Sequence, residues 1–158
     1  DLSRFVLGDD PIVEVFAIGS VMFDSNCRDL DDFDTTMVIM KSRSGVLVHI
    51  NNSRRAAYGY DQRLEIFGSE GMVISDNQTP ISTKKFTNKS TFSQVPIYNF
   101  FLERFGQAYK DELDDFIDCI KNNKKTNVNF EDGRAALILA NAANESFKTK
   151  KLIKVEYN

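Results

Sequence analysis

Tryptophan is absent from this 158-residue sequence, histidine occurs once (His49), and cysteine occurs twice (Cys27 and Cys119). A lone histidine leaves any Ser-His-Asp, Cys-His or His-rich metal site a single candidate. The two cysteines form no C-x-x-C, so zinc and dithiol redox chemistry have no support, and a reducing, cytoplasmic setting is the simpler expectation. No apolar run approaches the roughly 18 residues needed to span a bilayer, and no charged-then-apolar leader precedes the first strand, so no membrane partner is expected. Twenty Lys and Arg against 23 Asp and Glu give a net charge of −3. The basic residues are scattered, which leaves no footprint for a phosphate backbone and argues against nucleic acid as a partner. Neither G-x-G-x-x-G nor G-x-x-x-x-G-K-[ST] occurs, so the chain carries no phosphate cradle of its own and cannot bind a dinucleotide in the usual way. Four N-x-S/T triplets, Asn77-Gln78-Thr79 among them, read as chance in the absence of a leader.

What is present suffices for one domain: 42% of residues are apolar and 27% charged, enough at this length to bury a core. The first two thirds read as strands. Residues 12–23 are rich in β-branched and aromatic side chains and end at Asp24-Ser25-Asn26. A second strand spans 34–41, and Ser42-Arg43-Ser44-Gly45 turns it into a third, 46–51, with Gly45 supplying a positive φ. Alternation puts Val46, Val48 and Ile50 on one face, and Leu47, His49 and Asn51 on the other. Further strands are expected at 62–67, 72–75, 81–87 and 91–95. Short turns between consecutive strands argue for antiparallel pairing.

The last third reads as helix. Asn99 opens one carrying Leu102, Phe105, Tyr109, Leu113, Phe116 and Ile120, and Asn129 opens a second with Glu131 and Asp132 in its first turn. A final strand is expected at 152–155. The fold class is therefore α+β, a largely antiparallel sheet of about five to seven strands with helices over one face and the other face free for an oligomer contact.

Three clusters invite a chemical reading. Asp24, Asp29, Asp31, Asp32 and Asp34 crowd an acidic loop, but the glycine and glutamate of a calcium loop are missing, and a solvated turn is the better account. Gly68-Ser69-Glu70-Gly71 suits a hairpin turn rather than a phosphate clamp, because Glu70 stands where a cation is needed. His49, without a visible partner, reads as a structural sheet residue. Tyr58-Gly59-Tyr60-Asp61-Gln62-Arg63 is more specific, gathering hydroxyls, a carboxylate, an amide and a guanidinium beside Asn52-Ser53-Arg54-Arg55. Such a set suits a polyhydroxylated ligand, each of whose hydroxyls must find a partner. A strand crossover held by side-chain hydrogen bonds explains it equally well.

The segment N-S-R-R-A-A-Y-G-Y-D-Q-R-L-E-I-F-G-S-E-G-M, Asn52 to Met72, resembles the C-terminal-domain signature of the glucose-fructose oxidoreductase and inositol dehydrogenase family. Asp1-Leu2-Ser3-Arg4-Phe5, Phe100-Phe101-Leu102-Glu103-Arg104-Phe105, and Asp132-Gly133-Arg134-Ala135-Ala136 leading to Ala140-Asn141-Ala142-Ala143-Asn144-Glu145-Ser146 are similar to the same family, so the resemblance covers essentially the whole chain. It implies that residues 1–158 form a single substrate-binding and oligomerisation domain. An NAD-binding Rossmann domain and the catalytic Lys, Asp and His then lie upstream of Asp1, with no catalytic or cofactor-binding residue in this chain. It further implies that the parent uses NAD to oxidise a hydroxyl of a cyclitol or sugar, myo-inositol to 2-keto-myo-inositol first among them. Tyr58 resembles a tyrosine that reaches the substrate hydroxyls, Asp1 adjoins the catalytic segment, and Tyr98 falls where another pocket tyrosine sits. Arg54, Arg55 and Arg63 are assigned to sheet-edge hydrogen bonds and ion pairs. The expected partners are a small polyol and further copies of the chain, as dimer or tetramer through the sheet face. Two rivals stand beside this: a stand-alone assembly module without catalysis, and a family relative acting on another sugar.

Overall fold

The computed structural model describes residues 1–157. In chain order the elements are α1 (Leu2–Leu7), β1 (Ile12–Ser20), α2 (Asn26–Asp29), β2 (Thr35–Ser42), β3 (Leu47–Ser53), β4 (Leu64–Gly68), β5 (Gly71–Ser75), β6 (Lys84–Lys85), β7 (Ser93–Gln94), α3 (Phe101–Arg104), α4 (Gly106–Lys121), α5 (Phe130–Thr149) and β8 (Ile153–Lys154). They fall into two compact units, one formed by residues 1–55 with 126–157 and the other by residues 56–125.

In the first unit four strands pair in the order β3-β2-β1-β8, antiparallel throughout. Alternation along β1 and β2 sends Val15, Ala17 and Met40 inward, where Ile12, Leu139 and Ala142 join them. Ile12 and Val15 expose no surface. Each such burial contributes about 1.5–3 kcal/mol. The small side chains Ala142 and Ala143 let α5 lie close on the sheet, and Val48 and Ile50 close the core from β3. The opposite face stays open: Ile18, Met37, Ile39 and Leu47 are exposed. This is the α+β class and antiparallel pairing expected from the sequence.

Helix α5 begins where its cap residue predicts. Asn129 Oδ1 accepts a hydrogen bond from the Glu131 N–H at 2.8 Å, and Asp132 Oδ2 accepts one from the Asn129 N–H at 3.0 Å, a reciprocal box that satisfies two orphan donors. Gly45 adopts φ +100° in the turn between β2 and β3.

Several boundaries differ from expectation. Strand β1 stops at Ser20 because the next N–H groups leave the ladder: those of Met22, Phe23 and Asp24 all donate to the Asp34 carboxylate at 2.9 Å. Asp34 is only 1% exposed. Burial pushes its carboxyl up, but those three N–H groups and the Thr35 hydroxyl outweigh it and hold the group well below the carboxylate range. The acidic loop is thus organised around one buried carboxylate.

The main sheet has four strands rather than five to seven, because the remaining strands pair among themselves in the second unit. There, β4 and β5 form one two-stranded sheet and β6 and β7 another. The strands expected at 81–87 and 91–95 shrink to two residues each. Thr87 Oγ1 takes the N–H groups of Lys89 and Ser90, so local turn bonds replace ladder bonds. The single helix expected from Asn99 is two, separated at Phe105, whose ψ of 14° departs from helical geometry ahead of Gly106. Its ring meets Tyr60 edge-on, with centroids 6.1 Å apart.

Candidate functional site

A cleft of about 260 Å³ in the second unit is lined by Tyr58, Asp61, Arg63, Asn77, Gln94 and Ile97, among others. Three backbone segments meet to build it. Gly59, at φ +131°, lies so close to residues 97 and 98 that an added Cβ would stand 2.4 Å from Ile97 Cγ1 and 2.9 Å from the Tyr98 carbonyl oxygen. Only glycine permits both that φ and that approach. Next to it the Tyr60 N–H donates to the Tyr98 carbonyl at 2.7 Å, and the Tyr98 N–H donates to the Gln78 carbonyl at 3.4 Å.

Asp61 is the hub. Its Oδ1 accepts from Arg63 Nε at 2.8 Å and from Asn77 Nδ2 at 2.7 Å, and its Oδ2 accepts from Arg63 Nη2 at 2.9 Å and from the Tyr58 hydroxyl. Asn77 Oδ1 in turn accepts from the Gln62 N–H at 2.8 Å, which fixes the orientation of that amide. The Asp61 side chain is 16% exposed. Its hydrogen bonds from Arg63 hold the carboxyl well below the usual range, burial opposes them, and Tyr58 and Asn77 add to them. The same bond, seen from its other end, pushes the Tyr58 phenol above its ordinary value, with burial adding to the shift. At neutral pH the cluster therefore holds a carboxylate, a guanidinium and a protonated phenol. It can bind and orient hydroxyl groups.

Of the residues singled out from the sequence, Tyr58 lines this cleft. Tyr98 supports it through its backbone, and its ring is not part of the lining. Asp1 lies in the first unit ahead of α1, where its carboxylate accepts from Arg4 Nη1 at 3.1 Å. Arg4 also bonds the Asp132 carbonyl at 3.0 Å and its carboxylate at 3.1 Å, tying α1 to the start of α5. Arg63 makes the ion pair with Asp61 at 2.8 Å. Arg54 pairs with Asp32 at 3.1 Å, and Arg55 lies 6.0 Å from the centre of the Phe23 ring. His49 is exposed on the open sheet face opposite Ile39. Asn77 is the residue that sequence reasoning misses: locally it reads only as part of an N-x-T triplet, and nothing in the sequence couples it to Asp61.

The profile of the C-terminal α/β domain of an oxidoreductase family, the Gfo/Idh/MocA group, matches residues 1–156. The chain belongs to this oxidoreductase family. An inositol 2-dehydrogenase of Rhizobium meliloti strain 1021 is 40% identical over 155 residues, covering 98% of this chain and 46% of the relative. A scyllo-inositol 2-dehydrogenase (NAD(+)) of Bacillus subtilis strain 168 is 29% identical over 153 residues, covering 94% of the chain and 42% of that relative. Among solved structures, a myo-inositol dehydrogenase from Corynebacterium glutamicum ATCC 13032 superimposes with a TM-score of 0.92 at 42% identity, over 98% of this chain and 46% of its own. The oxidoreductase-family domain thus spans about half the length of the relatives it matches.

The described residues do not form the Rossmann-type cradle for a dinucleotide. Every strand pairing is antiparallel, so no parallel strand–loop–helix unit offers a helix N-terminus to a pyrophosphate. Among the described residues no three His, Cys, Asp or Glu side chains gather as metal ligands, and no helix is long and apolar enough to cross a membrane.

Proposed function

We propose that this chain is the substrate-binding and oligomerisation domain of an NAD-dependent dehydrogenase that oxidises a cyclitol hydroxyl, myo-inositol to 2-keto-myo-inositol. The observation that carries the proposal is the Tyr58-Asp61-Arg63-Asn77 cluster in a cleft of a chain 40% identical to an inositol 2-dehydrogenase. NAD, held outside this chain, supplies the hydride acceptor, a cofactor choice supported by the NAD(+)-using relative. The upstream part of the parent supplies the catalytic Lys, Asp and His. This chain's own work is positional: Tyr58 orients the polyol by hydrogen bonding, which holds the reacting carbon in line. Asp1 adjoins the catalytic segment, and Tyr98 supports the cleft through its backbone.

Both compact units belong, in this proposal, to one domain. The apolar open face with Ile18, Met37, Ile39 and Leu47 is where copies associate, since a contiguous exposed patch of this kind marks an interface. Two free cysteines agree with a cytoplasmic setting.

The test is the full-length protein mixed with NAD and myo-inositol, with nicotinamide reduction followed by absorbance. Turnover of myo-inositol ahead of other cyclitols and sugars is expected. Turnover of another polyol in preference would move the substrate assignment, and none on any polyol would remove the dehydrogenase proposal.

A further inference from the structure

We propose that Asp61 is a positioning residue that fixes the direction of the hydrogen bond made by Tyr58, so that the phenol oxygen accepts from a substrate hydroxyl and does not donate to it. This rests on the proposed polyol site and says how that site recognises its ligand. The direction follows from the donor inventory. Arg63 has only donors, and the Asn77 amide is oriented by the Gln62 N–H so that its NH₂ faces Asp61. An ionised carboxylate has only acceptors. Tyr58 owns one proton, and the bond to Asp61 uses it. Arg63 also acts on the phenol oxygen from the Asp61 side, which leaves a second lone pair for a ligand in the cleft, where Tyr58 is 57% exposed, and the charged acceptor behind the phenol polarises it toward a stronger acceptor. A group recognised there must carry its own proton. An alcohol qualifies, whereas an ether, a fluorine or the ketone that oxidation creates does not.

The full-length protein tests this through the KM for myo-inositol of Tyr58→Phe, Asp61→Asn and the double variant. Each single variant is expected to raise KM about threefold to tenfold, the size of one hydrogen bond, with a smaller change in kcat. In the Tyr58→Phe background, Asp61→Asn is expected to add less than about twofold, because its effect passes through the phenol. Deoxy and deoxyfluoro inositols modified at the contacted hydroxyl are expected to lose equally, since fluorine cannot donate. Additive effects in the cycle, or a fluoro analogue bound as well as the hydroxyl compound, would overturn the role of Asp61 while leaving Tyr58 in the site. An unchanged KM in Tyr58→Phe would remove both. Should Asp61→Asn fail to fold, the phenol titration of wild type minus Tyr58→Phe still decides: ionisation above about pH 10 is expected, and ionisation at or below it would overturn the bond to Asp61.

Discussion

Gly59→Ala perturbs the one place where backbone geometry and the candidate site coincide. The residue sits at φ +131°, a conformation that L side chains rarely adopt, and its Cβ would stand 2.4 Å from Ile97 Cγ1, 2.9 Å from the Tyr98 carbonyl oxygen and 3.0 Å from that of Ile97. Backbone strain of this kind costs about 1–3 kcal/mol, and forcing atoms into filled space costs about 1–3 kcal/mol more. Two of the three close contacts are carbonyl oxygens, so relief requires moving the backbone at 97 and 98 rather than rotating a side chain. Gly45→Ala is the control: φ is +100° there, but nothing lies within 4 Å of the added Cβ, so only strain is introduced. Each kcal/mol lowers Tm by about 2–4 °C in a chain of this size. Gly59→Ala is therefore expected to lose about twice what Gly45→Ala loses, measured by thermal denaturation monitored by circular dichroism. Hydrogen exchange adds a local readout, because the Tyr60 N–H donates to the Tyr98 carbonyl. Its protection is expected to fall by at least about tenfold, as a loss of more than about 1.4 kcal/mol requires. Equal Tm losses for the two variants, with the Tyr60 amide as protected as before, would refute the close approach of the two segments.

Two further expectations concern the rest of the molecule. Asp34 and Asp61 are held well below the usual carboxylate range in the folded protein, and Asp132 is lowered from its ordinary value by the Asn129 N–H and by Arg4; such groups stabilise the fold above their unfolded value near pH 4 and lose that contribution as pH falls through the lower folded values. The urea midpoint is thus expected to stay level from neutral pH to about pH 5 and to drop below about pH 4, more shallowly in Asp34→Asn, and a midpoint unchanged at about pH 3 would contradict it. On the open sheet face, Ile39→Lys in the full-length protein is expected to yield smaller species in analytical ultracentrifugation, whereas an assembly identical to wild type would show that copies do not meet there.

Elements governed by local chemistry were legible in the sequence. Asn129 with Asp132 three positions on announces its own helix start, Gly45 its turn, and the alternation from Leu47 to Asn51 separates the core-facing Val48 and Ile50 from the exposed Leu47 and His49, whereas Val46, expected on the core face, lies ahead of β3 and is exposed. Features that depend on distant partners were not. Nothing in the acidic loop distinguishes Asp34 from Asp29 or Asp31 until the chain folds back and presents three N–H groups to it. The candidate site was half legible for the same reason. Tyr58, Asp61 and Arg63 are sequence neighbours and stood out as a cluster, whereas Asn77 reaches Asp61 from 16 positions away and carries no local sign of doing so. The division of strands between two units also escaped, since an apolar alternation shows that a strand forms but not which sheet takes it.

The most direct measurement is the KM for myo-inositol of the full-length protein against its Tyr58→Phe variant, with NAD saturating. A rise of about threefold to tenfold is expected if the phenol oxygen holds a substrate hydroxyl, and a KM indistinguishable from wild type would contradict the placement of the polyol in this cleft.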